Sequence, residues 1–256
     1  LTADGIHSLS DISTDIAVHI GIYIGSKKPD ETHPYGHGRG ETFSAFFIGI
    51  VLAAVGIVMV QKGVVEILEG KTREAHWLVA VIAVISIVVK EVLYRLTRRI
   101  AVVSHSAALY ANAWHHRSDA LSSVAVLAGF IALYFGFRYG DQAAAVCVGV
   151  MVIYVSVGII RDCFNDLTER AVDSDTKKKI EQIIESKSDI RGWHRLRTRT
   201  IAREIFLDVH ILVDPDLNIT SAHQIAEELE DELHSEISRP VNIMVHMEPD
   251  LPELRK

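Results

Sequence analysis

Cysteine is scarce in this sequence, and so are the features of a secreted domain. The 256 residues include two cysteines, Cys147 and Cys163, whose positions form no disulfide framework, and we interpret both as packing residues. No signal peptide is visible at the start. The chain begins at Leu1 rather than at Met, and we expect a further N-terminal segment before it. These absences argue against a fold that depends on disulfides.

Long apolar runs are absent from the last third of the chain. Residues 171–256 carry 18 acidic and 12 basic side chains, whereas residues 1–170 are close to neutral and contain every run long enough to span a bilayer. We therefore predict a transmembrane domain over residues 1–170 and a small acidic soluble domain over residues 171–256. The negative charge of the soluble domain argues against nucleic acid as a partner and is compatible with cations.

The apolar part contains five candidate membrane-spanning helices. Three runs have no charged residue over 18 to 20 positions: Thr42–Gln61, Ala120–Phe137 and Gln142–Ile160. Each can cross a hydrocarbon layer of roughly 30 Å as a helix. The two others are shorter: a first segment, apolar over Ile16–Ile24, and Trp77–Val89, for which Lys90 and Arg95 must snorkel to the interface. Lysine and arginine are concentrated in the first and third loops, which places those loops and the C-terminal domain in the cytoplasm.

Two histidine–aspartate pairs lie in or beside apolar segments. His115 and Asp119 directly precede the run that begins at Ala120, and His7 and Asp11 lie in the first segment. Residues four apart share one face of a helix, and ionisable groups at membrane depth are costly and usually mark an ion path. Two imidazoles and two carboxylates supply the four ligands of a tetrahedral zinc site, so we predict a metal site between these helices.

The loop after the first segment is rich in potential metal ligands. Asp30, His33 and His37 provide a carboxylate and two imidazoles within eight residues. The loop is also polar and rich in glycine, as ordinary solvated loops are. The spacing alone therefore leaves two interpretations open, a solvated loop and a second metal site.

The soluble domain has the pattern of an α+β sandwich with the element order helix, strand, strand, helix, strand. We predict paired strands at Trp193–Ile201 and Glu204–Val213 and a last strand from Val241. Ser221 and Gln224 have the spacing of a capping box, which predicts the start of the second helix there.

Histidine is frequent in the soluble domain, where 86 residues contain only two aromatic rings. The five histidines are His194, His210, His223, His234 and His246. Strand alternation turns His210, His246 and Glu248 away from the core. Outward histidines are often ordinary surface residues, so a metal cluster and surface decoration both stay open on chemistry alone.

Three motifs in combination resemble the cation diffusion facilitator family, and most closely its bacterial zinc/proton antiporters. The motifs are Ala3-Asp4-Gly5-Ile6-His7-Ser8-Leu9-Ser10-Asp11, His33-Pro34-Tyr35-Gly36-His37-Gly38-Arg39-x-Glu41 and His115-His116-Arg117-Ser118-Asp119. The resemblance implies an α-helical transmembrane bundle of six spans, a ferredoxin-like cytoplasmic domain and a homodimer. The five visible spans would then be the family's second to sixth, with the first preceding Leu1.

The same resemblance implies roles for individual residues. His7, Asp11, His115 and Asp119 match the transport site, and the histidine at the first position resembles zinc-preferring relatives. The loop residues Asp30, His33 and His37 match a metal site of the bacterial zinc members. Five residues match a metal cluster of the cytoplasmic domain: His194, His210, His223, His246 and Glu248. Glu248 stands where an aspartate is more familiar, which puts the number of ions in that cluster in doubt.

These observations predict a secondary transporter in the inner (cytoplasmic) membrane that exports Zn²⁺ in exchange for protons, with zinc also acting as a regulatory ion. Export of Fe²⁺, Co²⁺, Cd²⁺ or Mn²⁺ is an alternative, because ligand type restricts the metal without choosing it. A metal-sensing membrane protein that does not transport is a second alternative. An enzyme is not expected, because hydrolytic zinc sites commonly have His-Glu-x-x-His, which this sequence lacks.

Overall fold

The computed structural model describes residues 15–70, 77–137 and 139–253, and the chain forms two compact units. The N-terminal unit extends to Phe164, and the C-terminal unit begins at Asn165. His7 and Asp11 lie outside the described residues.

The described residues in the first two thirds of the chain form five long or apolar helices. They are α1 (Asp15–Gly25), α2 (Arg39–Leu68), α3 (Trp77–Val103), α4 (Ala107–Tyr134) and α5 (Gly140–Leu167). Among the described residues, α2, α4 and α5 have the length and composition to cross a membrane. Helix α1 is shorter, and α3 carries charged residues in its second half. The helices extend beyond the uncharged runs at their ends, because helical hydrogen bonding continues through the polar interface.

Helices α2 and α5 approach each other closely at glycines. A side chain at Gly56 would begin 2.9 Å from the carbonyl oxygen of Gly149, and one at Gly149 would begin 2.9 Å from that of Gly56. Ile48 and Leu52 on α2 are buried near this contact. Small residues of this kind let spanning helices pack backbone against backbone.

The outward faces of these helices are apolar. Ile82 on α3 is 64% exposed and Tyr154 on α5 is 80% exposed, and many aliphatic side chains between them are also accessible. In water such a surface would be a large unfavourable patch, whereas lipid chains match it. The N-terminal unit therefore has the surface of a membrane domain.

The C-terminal unit is a three-stranded sheet with two helices. Its elements are α6 (Ser174–Ser186), β1 (Gly192–Ile201), β2 (Glu204–Val213), α7 (Ile219–Glu236) and β3 (Val241–Pro249). The strand order is β1-β2-β3, with β1 antiparallel and β3 parallel to the central β2. A parallel pair needs a crossover, which α7 provides.

The core of this unit lies between the aliphatic face of the sheet and the two helices. Ile205, Leu207, Val209 and Ile211 alternate along β2 and pack with Ile180 of α6 and other buried aliphatic residues. Alternation places the intervening side chains of β2, His210 among them, on the opposite face.

The start of α7 differs from the sequence prediction. Asn218 is the N-cap, and its side-chain oxygen accepts a hydrogen bond from the backbone N–H of Ser221 at 2.9 Å. The helix therefore begins three residues before the capping box predicted at Ser221. Both residues are good N-caps, and Asn218 takes this role because its backbone is extended and its side chain reaches the N–H of Ser221.

Candidate metal centres

Helix α4 carries the first candidate centre. His115 and Asp119, which we call the membrane pair, lie one turn apart and are 3% and 9% exposed. His115 Nε2 is 3.9 Å from Asp119 Oδ2. The helix begins after the N-cap Ser106, whose hydroxyl oxygen accepts a hydrogen bond from the backbone N–H of Leu109. A buried imidazole and a buried carboxylate on one helix face thus point to the same region, while their predicted partners His7 and Asp11 are not described.

Sequence reasoning missed a third group at this centre. The ammonium of Lys90, on α3, lies 2.7 Å from Asp119 Oδ2. The prediction that Lys90 snorkels to the interface did not include this ion pair, and the depth of Lys90 in a bilayer stays a prediction. Helix α3 continues for a further three turns to Val103, so Lys90 lies in mid-helix rather than at an end. A lysine after an apolar run fits both positions, and only the packing of α3 on α4 distinguishes them.

The loop between α1 and α2 forms a second cluster. Asp30, His33 and His37, which we call the loop cluster, place one potential ligand atom each within 4.8 Å of one another. Asp30 Oδ2 lies 3.5 Å from His37 Nε2, and the rings of His33 and His37 are 4.2 Å apart. The turn between the histidines needs Gly36, whose φ of +78° suits glycine.

Asp30 is fixed by the chain around it. Its Oδ1 accepts hydrogen bonds from the backbone N–H groups of Thr32 and His33 at 2.9 and 2.7 Å, and from the Thr32 hydroxyl at 2.8 Å. The Thr32 hydroxyl and the backbone donors lower the pKa of Asp30 to about 2. The carboxylate therefore stays ionised at every physiological pH, and its Oδ2 faces His37 as an anionic ligand.

The sheet carries a third cluster on the face opposite the core. His194, His210 and His246 stand side by side on β1, β2 and β3, because strand register pairs His194 with His210 and His210 with His246. Neighbouring rings are 5.1 and 4.5 Å apart. Glu248, two residues after His246 on β3, points to the same face. We call these four residues the sheet cluster.

Glu248 joins the three imidazoles of the sheet cluster. Its Oε2 is 3.0 Å from His194 Nε2, and its Oε1 is 2.8 Å from His210 Nδ1 and 3.5 Å from His246 Nε2. An ionised carboxylate only accepts, so the ring N–H groups donate. The hydrogen bond from His210 is the main cause of the lowered pKa of Glu248. His194, His210 and Glu248 offer three ligand atoms within 4.8 Å of one another.

His223, the fifth residue predicted for the cytoplasmic cluster, lies on α7. Its Nε2 is 3.4 Å from Glu227 Oε1, one turn further along, and both side chains are well exposed. Its participation in a metal site stays a prediction.

Nitrogen and carboxylate oxygen donors of this kind suit zinc and other borderline divalent ions, whereas magnesium and calcium prefer oxygen alone. The loop and sheet clusters each combine histidine with one carboxylate. Each could therefore hold such an ion at a position outside the membrane helices.

Comparison with known families covers both units. A family described as "Cation efflux transmembrane domain" matches residues 1–168, and one described as "Cation efflux protein, cytoplasmic domain" matches residues 172–250. An uncharacterized transporter of Methanocaldococcus jannaschii is 36% identical over 92% of this chain and 83% of its own length. The manganese efflux system protein MneP of Bacillus subtilis is 30% identical over 98% of this chain and 86% of its own.

Other similar proteins belong to magnetosomes. The magnetosome protein MamB of Magnetospira sp. is 28% identical over 97% of this chain and 85% of its own length. Among solved structures, a cadmium form of a MamM CTD variant is 26% identical, covers 30% of this chain and 98% of its own, and has a TM-score of 0.29.

Proposed function

The chain belongs to the cation diffusion facilitator family, as its motifs predicted, and from that premise we propose that this integral membrane protein exports Zn²⁺ from the cytoplasm in exchange for protons. Members of the family are cation efflux transporters rather than enzymes. The observation that carries the proposal is the buried membrane pair on α4, because His115 and Asp119 present an imidazole nitrogen and a carboxylate oxygen on one buried face of a spanning helix, and these donors suit a divalent cation.

We assign the transport site to His7, Asp11, His115 and Asp119. The four side chains would complete a tetrahedral set of two nitrogens and two oxygens. Metal binds the deprotonated ligands, so loading from the cytoplasm releases protons and protonation on the other side releases the metal. Imidazole is the side chain whose protonation changes most readily near neutral pH, which makes the histidines the proton carriers.

The wider architecture of the proposal follows the family resemblance. The five helices α1–α5 serve as visible spans of a six-span bundle, residues 1–170 form the transport domain, and residues 171–256 form a ferredoxin-like domain in the cytoplasm of a homodimer. The loop cluster, and the sheet cluster together with His223, bind zinc as a regulatory ion. Support comes from the donor chemistry of both clusters and from their position outside the helices.

Manganese is the principal rival as cargo, because the similar protein MneP is named for manganese efflux. Manganese prefers a shell of carboxylates, carbonyls and water, whereas imidazole is a better ligand for zinc. The histidines of the assigned site therefore favour zinc, and His7, the residue at the first position, is the one to change in order to shift the preference.

Proteoliposomes with a pH gradient test the proposal. The wild type should take up zinc in preference to manganese, and uptake should collapse with the gradient. Asp119→Asn should abolish uptake of either metal, because it removes the charged ligand while keeping the shape. Glu91→Gln is the matched control, since Glu91 is a carboxylate on α3 that pairs with Arg95 at 2.8 Å.

Each unexpected result has a defined meaning. Near-normal uptake by Asp119→Asn would overturn the site. A wild type that prefers manganese would overturn zinc as the cargo, and one that moves no metal would leave a sensor in place of a transporter.

A further inference from the structure

The ion pair between α3 and α4 uses the oxygen that a metal ion would need. Lys90 Nζ lies 2.7 Å from Asp119 Oδ2, the same oxygen that faces His115 Nε2 at 3.9 Å. The side chain of Asp119 is 10% exposed and that of Lys90 is 26% exposed. The pair is thus largely shielded from water, and its electrostatic energy is screened much less than that of a surface pair.

The packing on both sides holds Lys90 in this position. One turn away on each helix, the hydroxyl of Ser123 donates to that of Ser86 at 3.0 Å. One turn in the other direction, Tyr94 is buried, with its ring 5.9 Å from that of Trp114. These contacts set one register between α3 and α4, and the lysine opposite Asp119 is part of that register.

Tyr94 makes a further contact with α4. The guanidinium of Arg117, on α4, lies 4.4 Å from the centre of the Tyr94 ring. With polar and aromatic contacts on both sides, α3 cannot slide along α4 without breaking several of them. The ammonium can therefore leave Asp119 only by a change of its own side-chain conformation.

We propose that Lys90 is a built-in competitor of the transported metal for Asp119. In the carrier without metal, its ammonium neutralises a carboxylate that would otherwise be buried and unpaired. When a divalent ion binds Oδ2, repulsion between the two cations drives the ammonium away. The lysine thus weakens metal binding, and its return to Oδ2 assists release. The inference deepens the proposed function and rests on it.

A lysine that only stabilises the fold makes different predictions. Its removal would lower stability and would leave metal affinity unchanged or reduced, because a buried carboxylate without its partner disorders the site. A competitor does the opposite to affinity, since the metal no longer has to displace anything. The direction of the affinity change therefore separates the two roles.

The first test measures zinc binding to the full chain in lipid nanodiscs by calorimetry. A background with Asp30→Ala and Glu248→Gln removes one ligand from each of the other two clusters. In that background, Lys90→Met should bind zinc on the order of tenfold more tightly, within the range of ordinary coupling between two sites. Lys90→Arg, which keeps the charge, should stay near the parent affinity. Lys62→Met is the control, because Lys62 is an exposed lysine on α2.

The second test uses the wild-type protein and so does not depend on how the variants fold. The amine of Lys90 is labelled with an acylating reagent, and the modified peptide is quantified by mass spectrometry with and without zinc. Zinc should raise labelling at Lys90 several-fold and leave labelling at Lys62 unchanged. Unchanged labelling at Lys90, or unchanged or weaker zinc binding by a folded Lys90→Met variant, would overturn the competition.

Zinc flux by the wild type tests the proposed function separately. A protein that shows the competition but moves no zinc would overturn export alone.

Discussion

The loop cluster holds its carboxylate through the backbone, whereas the sheet cluster holds its carboxylate through the imidazoles. Asp30 receives two backbone N–H groups and a hydroxyl on one oxygen, which leaves the other oxygen for His37. Glu248 offers both oxygens to ring nitrogens. In the membrane pair the carboxylate has a third kind of partner, the ammonium of Lys90.

This difference shows that a carboxylate can have a low pKa for reasons other than neighbouring histidines, so a low pKa alone does not indicate a metal site. Hydrogen bonds from the local turn lower the pKa of Asp30, so that carboxylate would be preorganised even without histidines nearby. The lowered pKa of Glu248 comes from the imidazoles themselves. Loss of one residue should therefore disturb the sheet cluster more widely than the loop cluster, and the predictions below follow that order.

The largest effect is expected at Glu248. Glu248→Gln removes the anionic group that contacts three imidazoles and should lower zinc affinity at the sheet cluster by more than about 100-fold, because loss of a residue that only supports a ligand already costs roughly 10–100-fold. Zinc stoichiometry of the full chain, measured with competing chelator, reports the loss. Glu204→Gln removes an exposed carboxylate from β2 and is the control. An unchanged stoichiometry in Glu248→Gln would mean that the sheet cluster does not bind zinc.

A smaller effect is expected at Thr32, which touches Asp30 but is not itself a predicted ligand. Thr32→Val removes the hydroxyl that donates to Asp30 Oδ1 at 2.8 Å, while both backbone donors stay. Zinc affinity at the loop cluster should fall by about tenfold, the lower end of the range for a supporting group. Thr32→Ser should bind as the wild type does. A loss equal to that of Asp30→Ala would show that the backbone does not hold Asp30 by itself.

Much of this arrangement could be predicted from local sequence patterns. Strand β2 occupies Glu204–Val213, as alternation of aliphatic residues predicted, because one buried face of a strand leaves a strong period of two. The resemblance to the cation diffusion facilitator family is confirmed by matches that together cover residues 1–168 and 172–250. Outward orientation of His210, His246 and Glu248 also followed from alternation.

Contacts between elements could not be predicted in the same way. Alternation says which face His194 or His246 occupies, but only strand register places both beside His210. The position of Lys90 opposite Asp119 depends on how α3 and α4 pack, and no periodicity in either helix encodes it. The count of five spans likewise stays a prediction. Helix α3 carries charged residues, and whether a spanning helix accommodates them depends on its packing rather than on its composition.

The smallest effect is expected at Asp173, which has the hydrogen bonds of Asp30 without the histidines. Its Oδ1 accepts from the N–H groups of Asp175 and Thr176 at 3.1 and 2.9 Å, and its Oδ2 accepts from the Thr176 hydroxyl at 2.7 Å. These donors lower its pKa below the usual 3.8, so the stabilisation is complete above that pH and is lost as pH falls through the lowered value. Asp173 is the N-cap of α6, so Asp173→Ala should lower the stability of this helix by about 1 kcal/mol at pH 7.

Hydrogen exchange of the α6 amides measures this cost locally. At pH 7 the amides of Asp173→Ala should exchange about fivefold faster than those of the wild type after correction for intrinsic rates, since tenfold corresponds to about 1.4 kcal/mol. The ratio should shrink as pH falls through the lowered pKa of Asp173, where the native carboxylate protonates. Asp175→Ala removes a charge from the same turn without removing the cap and should have a smaller effect. If zinc slowed the exchange of the α6 amides in the wild type and not in Asp173→Ala, Asp173 would itself be a metal ligand, and the distinction between backbone-held carboxylates and histidine clusters would fail.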